Sequence, residues 1–405
     1  MTPQIADVPH AENLRPIPQK VWQSFSKLSL CVAWLGLALL IPSGCGGSGS
    51  GMTTTTTSTA QDAATPTITT TAALNGAKIV TLSDTTSGAT IYYTLDGSTP
   101  TNTSQAYAGP FLVDSNITVS AIASNAPAYL NSKVATQTFS PNIASNTLVW
   151  SDEFANSGST NILPSSTNWT YDTGTDCCGN DEQETYCAAG SSTSPCNPSS
   201  PNAYIAPGGG LNIVAENPST GVYTSARLKS EGLFSFMYGR IEAEILVPES
   251  QAMWPAFWML GSNINSVPWP ACGEADIMEH IDGDNTPFGG PGTGPAPGYD
   301  WYAASVHGTN LNGGTPYTTS GFSAATWHTY GMIWTKGQIQ YYIDSPTNIY
   351  ETFTPTNISG TWPFDQGPMF IILNLAVGGT WPGDVNSSTV FPSTMQVKYV
   401  RIYTP

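Results

Sequence analysis

The chain is short of charge, and shortest of positive charge. Eleven lysines and arginines and 4 histidines stand against 28 aspartates and glutamates in 405 residues, a formal net charge of −17. This excludes a nucleic-acid partner, because binding the phosphate backbone takes a basic footprint that so few cations do not provide. Sulfated or carboxylated polysaccharides are disfavoured on the same ground, whereas a neutral polymer is compatible. Long amphipathic helical patterns are missing after residue 60. The apolar run Leu28–Ile41 spans about 14 residues, short of the ~20 that a membrane-spanning helix needs. Preceded by Arg15, Lys20 and Lys27 and followed by Ser43-Gly44, it reads as an export signal over residues 1–45.

Cys45-Gly46-Gly47-Ser48 resembles a lipoprotein processing site, although Pro42 stands where leucine is usual. A lipid on Cys45 is then the only expected link to a membrane. It would hold the protein in the periplasm or at an outer surface; without it the chain is simply secreted. Residues 46–62 read as a flexible Gly/Ser/Thr tether. Of the seven cysteines, Cys31 falls in the signal, and Cys177, Cys178, Cys187 and Cys196 cluster in a loop-rich stretch that an exported protein can cross-link. Three connectivities exist. A bond between the adjacent Cys177 and Cys178 would be strained, which favours pairing each with Cys187 or Cys196. Cys272 is left over as a small buried hydrophobe. No histidine lies near the cluster, so a zinc site is disfavoured.

What is abundant points to an all-β protein: 39 glycines, 32 prolines and many Thr, Ser and Asn residues, which favour short strands and turns. In residues 63–140, Ile91, Tyr93 and Leu95 alternate with polar partners, Asp96-Gly97-Ser98-Thr99-Pro100 forms a turn, and Ile117, Val119, Ala121 and Ala123 alternate again. This predicts a small β-sandwich module. Its Tyr92, Tyr93 and Tyr107 either stack on sugar rings or are core tyrosines of a spacer. Residues 141–146 read as a linker and 147–405 as a second, larger domain.

The run Cys272-Gly273-Glu274-Ala275-Asp276-Ile277-Met278-Glu279-His280 places three acids in an apolar, strand-like setting. Alternation puts Glu274 and Asp276 on one face and Glu279 on the other. One extra residue in a β-bulge, with Met278 the natural candidate, would turn Glu279 to the same side. Four strand steps then separate the two glutamate α-carbons by roughly 13 Å. Side chains leaning together could bring the carboxyls to the ~5–5.5 Å that a retaining glycosidase uses. Three carboxylates on one half-buried face are costly, which favours a catalytic task over chance.

The same run resembles the active strand of glycoside hydrolase family 16 in its bulged, laminarinase-like form. Further stretches follow in the family's order: Leu148–Phe154, Gly179–Glu184 (usually G-N-N-E-L-Q), Tyr223–Leu228, Tyr238–Ala243, Trp254–Leu260 and Asn374–Pro382. The likeness covers residues 147–405. It implies a concanavalin A-like β-jelly-roll sandwich whose concave sheet carries the active strand. Residues 91–101 resemble the immunoglobulin-like module found at the end of chitobiases.

By this resemblance Glu274 is the nucleophile and Glu279 the acid/base, while Asp276 between them bonds Glu274 and keeps Glu279 protonated. Trp254, Trp258 and Trp381 are candidates for stacking on glucose faces. Asn180, Glu182 and Arg227 would bond sugar hydroxyls, and His280 and His307 adjoin the catalytic face, with a structural histidine the competing reading. The resemblance also brings a structural calcium, bound through an acid before the last strand. Here Lys398 takes that place, so no cofactor or metal is required, and its ammonium is expected near Glu153. Asp181 replaces a second asparagine and Glu244 a basic residue. The expected activity is cleavage of internal β-1,3 linkages in neutral β-glucan, with mixed 1,3-1,4 glucans as further substrates, by a monomer. Hydrolysis of another neutral polysaccharide such as agarose, or non-catalytic glucan binding, are the alternatives.

Overall fold

Short alternating segments between glycine and proline turns build a fold made almost wholly of antiparallel strands. The computed structural model describes residues 61–175, 179–281, 301–319 and 321–405. The signal with Cys31 and Cys45, the tether through residue 60, Cys177, Cys178, and the glycine- and proline-rich stretch 283–300, expected from its composition to be a cleft-edge loop that shapes substrate choice, lie outside the described residues.

The module is a sandwich of two small sheets. One carries Thr67–Ala72, Lys78–Ser83 and Phe111–Val113; the other, in spatial order, Gln105–Ala106, Thr90–Thr94, Ile117–Ser124 and Ala135–Phe139. Its core takes the apolar face read from the alternation, with Val80, Ile91, Tyr93, Phe111 and Val119 buried together. Tyr93 is therefore not a sugar platform. It is 3% exposed and stacks on Phe111 at 5.2 Å, while Tyr107 meets both rings edge-on. Tyr92, on the opposite face, is half-buried.

The module is seated directly on the larger domain. Ser235 N–H donates to Pro110 O at 3.0 Å, Leu112 N–H donates to Ser235 O at 2.8 Å, and Asn75 Nδ2 donates to Leu148 O at 2.8 Å. Ala77 and Leu112 share the large domain's own core. The backbones close in at paired glycines, where a Cβ on Gly109 would stand 2.7 Å from Gly232 Cα.

The large domain packs a seven-stranded sheet on an eleven-stranded one. Phe257, Met259, Ala275, Leu373 and Leu375 face Ile241, Ala243, Met332, Val400 and Ile402 across a single core. The seven-stranded sheet runs Leu311–Tyr317, Tyr302–Gly308, Glu274–Glu279, Met253–Gly261, Met369–Val377, Arg227–Lys229, Thr170–Asp172, so the acid-bearing strand lies near its centre.

Two expectations are corrected here. Cys187 bonds Cys196, with Cα atoms 5.6 Å apart. Turns closed by Ser191 N–H to Ala188 O (3.0 Å) and Cys196 N–H to Thr193 O (2.8 Å) fold the segment back on itself, so neither cysteine is left for Cys177 or Cys178. Lys398 does not approach Glu153. The register along Ser393–Tyr403 slips between the partners Glu244 and Ile245, making Lys398 the extra residue of a bulge. It swings outward to pair with Glu244 and lies over the Trp327 ring at 4.2 Å. Glu153 is held instead by Arg401, at 2.8 and 2.9 Å. The two departures at Glu244 and Lys398 thus satisfy each other.

Candidate active site

The active strand, Glu274–Glu279, runs between Met253–Gly261 and Tyr302–Gly308. Against the first neighbour, Asp276 pairs with Trp258 and Met278 with Phe257, so the register skips Ile277 rather than Met278. Ile277 and Met278 are both buried in the core, which is why sequence alone misplaced the bulge by one. The extra residue restores the parity, and Glu274, Asp276 and Glu279 project away from the core.

Each acid has its own partner. Trp269 Nε1 donates to Glu274 Oε2 at 2.7 Å, and Trp254 Nε1 donates to Glu279 Oε1 at 3.0 Å. Asp276, 3% exposed, accepts the Ser305 hydroxyl at 2.5 Å and lies 3.2 Å from His307 Nε2. His307 Nε2 is also 3.9 Å from Glu274 Oε1. Tyr341 O–H donates to the Ser305 carbonyl at 2.7 Å and fixes that neighbouring strand from below.

The electrostatics separate the two glutamates. Burial, then the charge of Asp276, push Glu274 up to about 7, while His307, Trp269 and Arg227 hold it from rising further. Burial and the charges of both Asp276 and Glu274 push Glu279 well above the carboxylate range. Burial opposes the His307 cation, but its bond to Asp276 and the charges of the three acids lift it to about 9. Of the two glutamates, Glu279 faces the charges of both other acids and is raised the further.

The remaining expected site residues divide into those at the cleft and those beneath it. Trp254 and Trp381 are half-buried and meet edge-on at 5.3 Å beside Glu279. Trp258 is half-buried, with Arg227 over its ring at 4.5 Å. Arg227 itself is only 8% exposed and pairs with Asp172 at 2.9 Å, so it braces Trp258. Asn180 Nδ2 donates to Glu182 Oε1 at 3.2 Å at the cleft edge. His280 is 2% exposed, its Nδ1 2.7 Å from the Trp301 carbonyl, which places it under the aromatic wall and not on the open face.

Sequence reasoning passed over Trp269, Ser305, Tyr186 and Asn374. Two of these carried a readable signal. Ser305 shares a strand face with His307 by simple alternation, and Asn374 opens a motif already matched. Trp269 reaches Glu274 from a loop, and Tyr186 reaches Asn374 from a strand of the other sheet; only the fold brings these together.

Comparison with known proteins agrees with this geometry. A family model described as "Glycosyl hydrolases family 16" matches residues 194–401, and one described as "Chitobiase/beta-hexosaminidase C-terminal domain" matches residues 69–136. The chain belongs to glycosyl hydrolase family 16: it is a glycoside hydrolase with a jelly-roll catalytic domain behind a small β module. It is 35% identical over 268 residues to the beta-glucanase of Rhodothermus marinus, covering 63% of this chain and 84% of that protein. It is 32% identical over 282 residues to glucan endo-1,3-beta-glucosidase A1 of Niallia circulans, covering 65% of this chain but 38% of that longer protein. Among solved structures it resembles the catalytic domain of an endo-1,3-beta-glucanase (laminarinase) from Thermotoga petrophila, with a TM-score of 0.52 and 29% identity over 64% of this chain and 98% of that one.

Proposed function

We propose that the protein is a retaining endo-hydrolase of neutral β-glucans, cutting internal β-1,3 linkages and, in mixed polymers, 1,3-1,4 chains. Double displacement needs an anionic nucleophile and a protonated acid on one side of a sheet. In this reading Glu274 attacks the anomeric carbon and displaces the leaving sugar, whose oxygen takes the proton of Glu279. Glu279, now anionic, deprotonates a water that releases the sugar from Glu274. Asp276 holds His307 beside the nucleophile and its charge keeps the proton on Glu279. The single observation that carries the reading is the bulge that brings Glu274 and Glu279 to one face of the sheet, with Asp276 between them and an indole N–H donating to each glutamate.

Similarity to laminarinases supports the β-1,3 preference, and the shortage of basic residues supports a neutral substrate. Three acids, all present and each with a partner, argue against a binding-only role. Export through the N-terminal signal, with a lipid on Cys45, belongs to the same proposal.

Chemical rescue tests it. Turnover of laminarin should vanish in E274A and return with azide as an α-glycosyl azide. E279A with azide should give the β product on a substrate whose leaving group needs no acid. Azide rescue of neither variant, or the opposite anomers, would overturn the assignment.

A further inference from the structure

A second pair of carboxyl groups lies at the edge of the same cleft. Glu184 is 1% exposed; its Oε2 accepts the Val377 N–H at 2.8 Å, while its buried Oε1 accepts no hydrogen bond. Glu182 lies within hydrogen-bonding reach of it. Glu182 is half-buried and takes Asn180 Nδ2 on Oε1 at 3.2 Å and the Tyr186 hydroxyl on Oε2 at 2.9 Å.

The direction of these bonds is set from the far end. An indole N–H can only donate, and Trp258 Nε1 donates to Asn374 Oδ1 at 2.7 Å. Asn374 must therefore turn its amide nitrogen to Tyr186, at 3.2 Å. Tyr186, having accepted there, spends its one proton on Glu182. Every donor in the relay is thus committed before the contact between Glu182 and Glu184 is reached. Two carboxylates side by side in a buried setting repel, and the more deeply buried one holds a proton. Burial, then the charge of Glu182, raise Glu184 well above the carboxylate range.

The surrounding loop is clamped in place. Gln183 N–H donates to Val377 O at 2.7 Å and Thr380 N–H to Asn180 O at 2.8 Å. A Cβ on Gly378, whose φ is +68°, would stand 2.4 Å from Gln183 Oε1, so no side chain fits between the two segments.

We propose that Glu184 is a neutral positioning acid: it donates its proton to Glu182 and so fixes the Glu182 carboxylate as the acceptor for a hydroxyl of the bound sugar. This rests on the reading of the chain as a glucan hydrolase and assigns one part of its sugar-binding edge. Glu184 acts only through Glu182 and takes no part in bond cleavage.

The test pairs two variants. E184Q keeps shape, an acceptor for Val377 N–H and a neutral N–H donor for Glu182; kcat and KM on laminarin should stay within about twofold of wild type. E184L removes both functions and should raise KM about tenfold, the worth of one such bond, with kcat within about threefold. A KM in E184Q raised as far as in E184L, or an unchanged KM in E184L, overturns the proposal. A readout independent of activity is the difference infrared spectrum of wild type against E184Q at neutral pH. It should contain the carbonyl stretch of a protonated carboxylic acid, and a carboxylate band in its place overturns the proposal even if E184L fails to fold. A wild-type protein that cuts no β-glucan would defeat the functional reading, while the infrared result would still decide where this proton resides.

Discussion

D276N removes one negative charge from the centre of the site while keeping the side chain's size. Asp276 is 3% exposed and its charge raises both Glu274 and Glu279. Same-face neighbours two residues apart on a strand sit ~7 Å from each other. At an effective dielectric of about 20, a unit charge at that distance is worth roughly 2.4 kcal/mol, just under two pH units. The same substitution loosens His307, which Asp276 helps to hold at about 9, and so surrenders some positive charge near Glu274. That partial offset brings the expected displacement to about one pH unit.

The direction follows from the two charged forms. With less repulsion, both glutamates release protons at lower pH. The acid limb, set by Glu274 ionising near 7, moves down, and so does the alkaline limb, where Glu279 loses its proton. Initial rates on laminarin across the pH range, fitted for kcat and kcat/KM, read both limbs. Activity should also fall in absolute terms, because Ser305 and His307 lose an anionic partner. An alkaline limb that stays put, or one that moves to higher pH, would show that Asp276 does not hold the proton on Glu279.

Three further outcomes are expected. Asp114 is buried and raised to about 6, so its ionisation costs stability that is absent below pH 4 and fully felt above pH 6; D114N should stabilise the protein by up to about 3 kcal/mol at pH 7.5 and by nothing measurable at pH 4, read by thermal melts. G109A forces a methyl against Gly232 and should cost about 1–3 kcal/mol, read as a lower melting temperature at the seam between the modules. Chelator should leave the melting temperature unchanged, because Glu153 is bound by Arg401 and Lys398 by Glu244; a large fall with EDTA would reveal a bound calcium.

The legible part of the molecule was the part governed by alternation. Strand parity at Glu274, Asp276 and Glu279 calls for a bulge if the three acids are to share a face, and the alternation of Ile91, Tyr93 and Val119 marks the module's core face. Errors arose where one residue decides direction. Ile277 and Met278 are equally apolar and both core-facing, so nothing in their chemistry says which one is extra. Lys398 was expected to fill the place of the residue it replaces, but a bulge turned it towards Glu244. Tyr93 carries a hydroxyl that suits sugar as well as core, and only its stacking on Phe111 decides. The partners that tune the acids, Trp269 and Trp254 above all, come from other segments, and their hydrogen bonds exist only once the sheet has formed.

If Glu274 and Glu279 divide the work of a double displacement, the anomeric carbon keeps its original configuration. Proton NMR of laminarin digestion in its first minutes, before mutarotation, reads this directly. β-Anomeric reducing ends should appear first, with the α signal growing in later. Initial release of the α anomer would contradict this division of work.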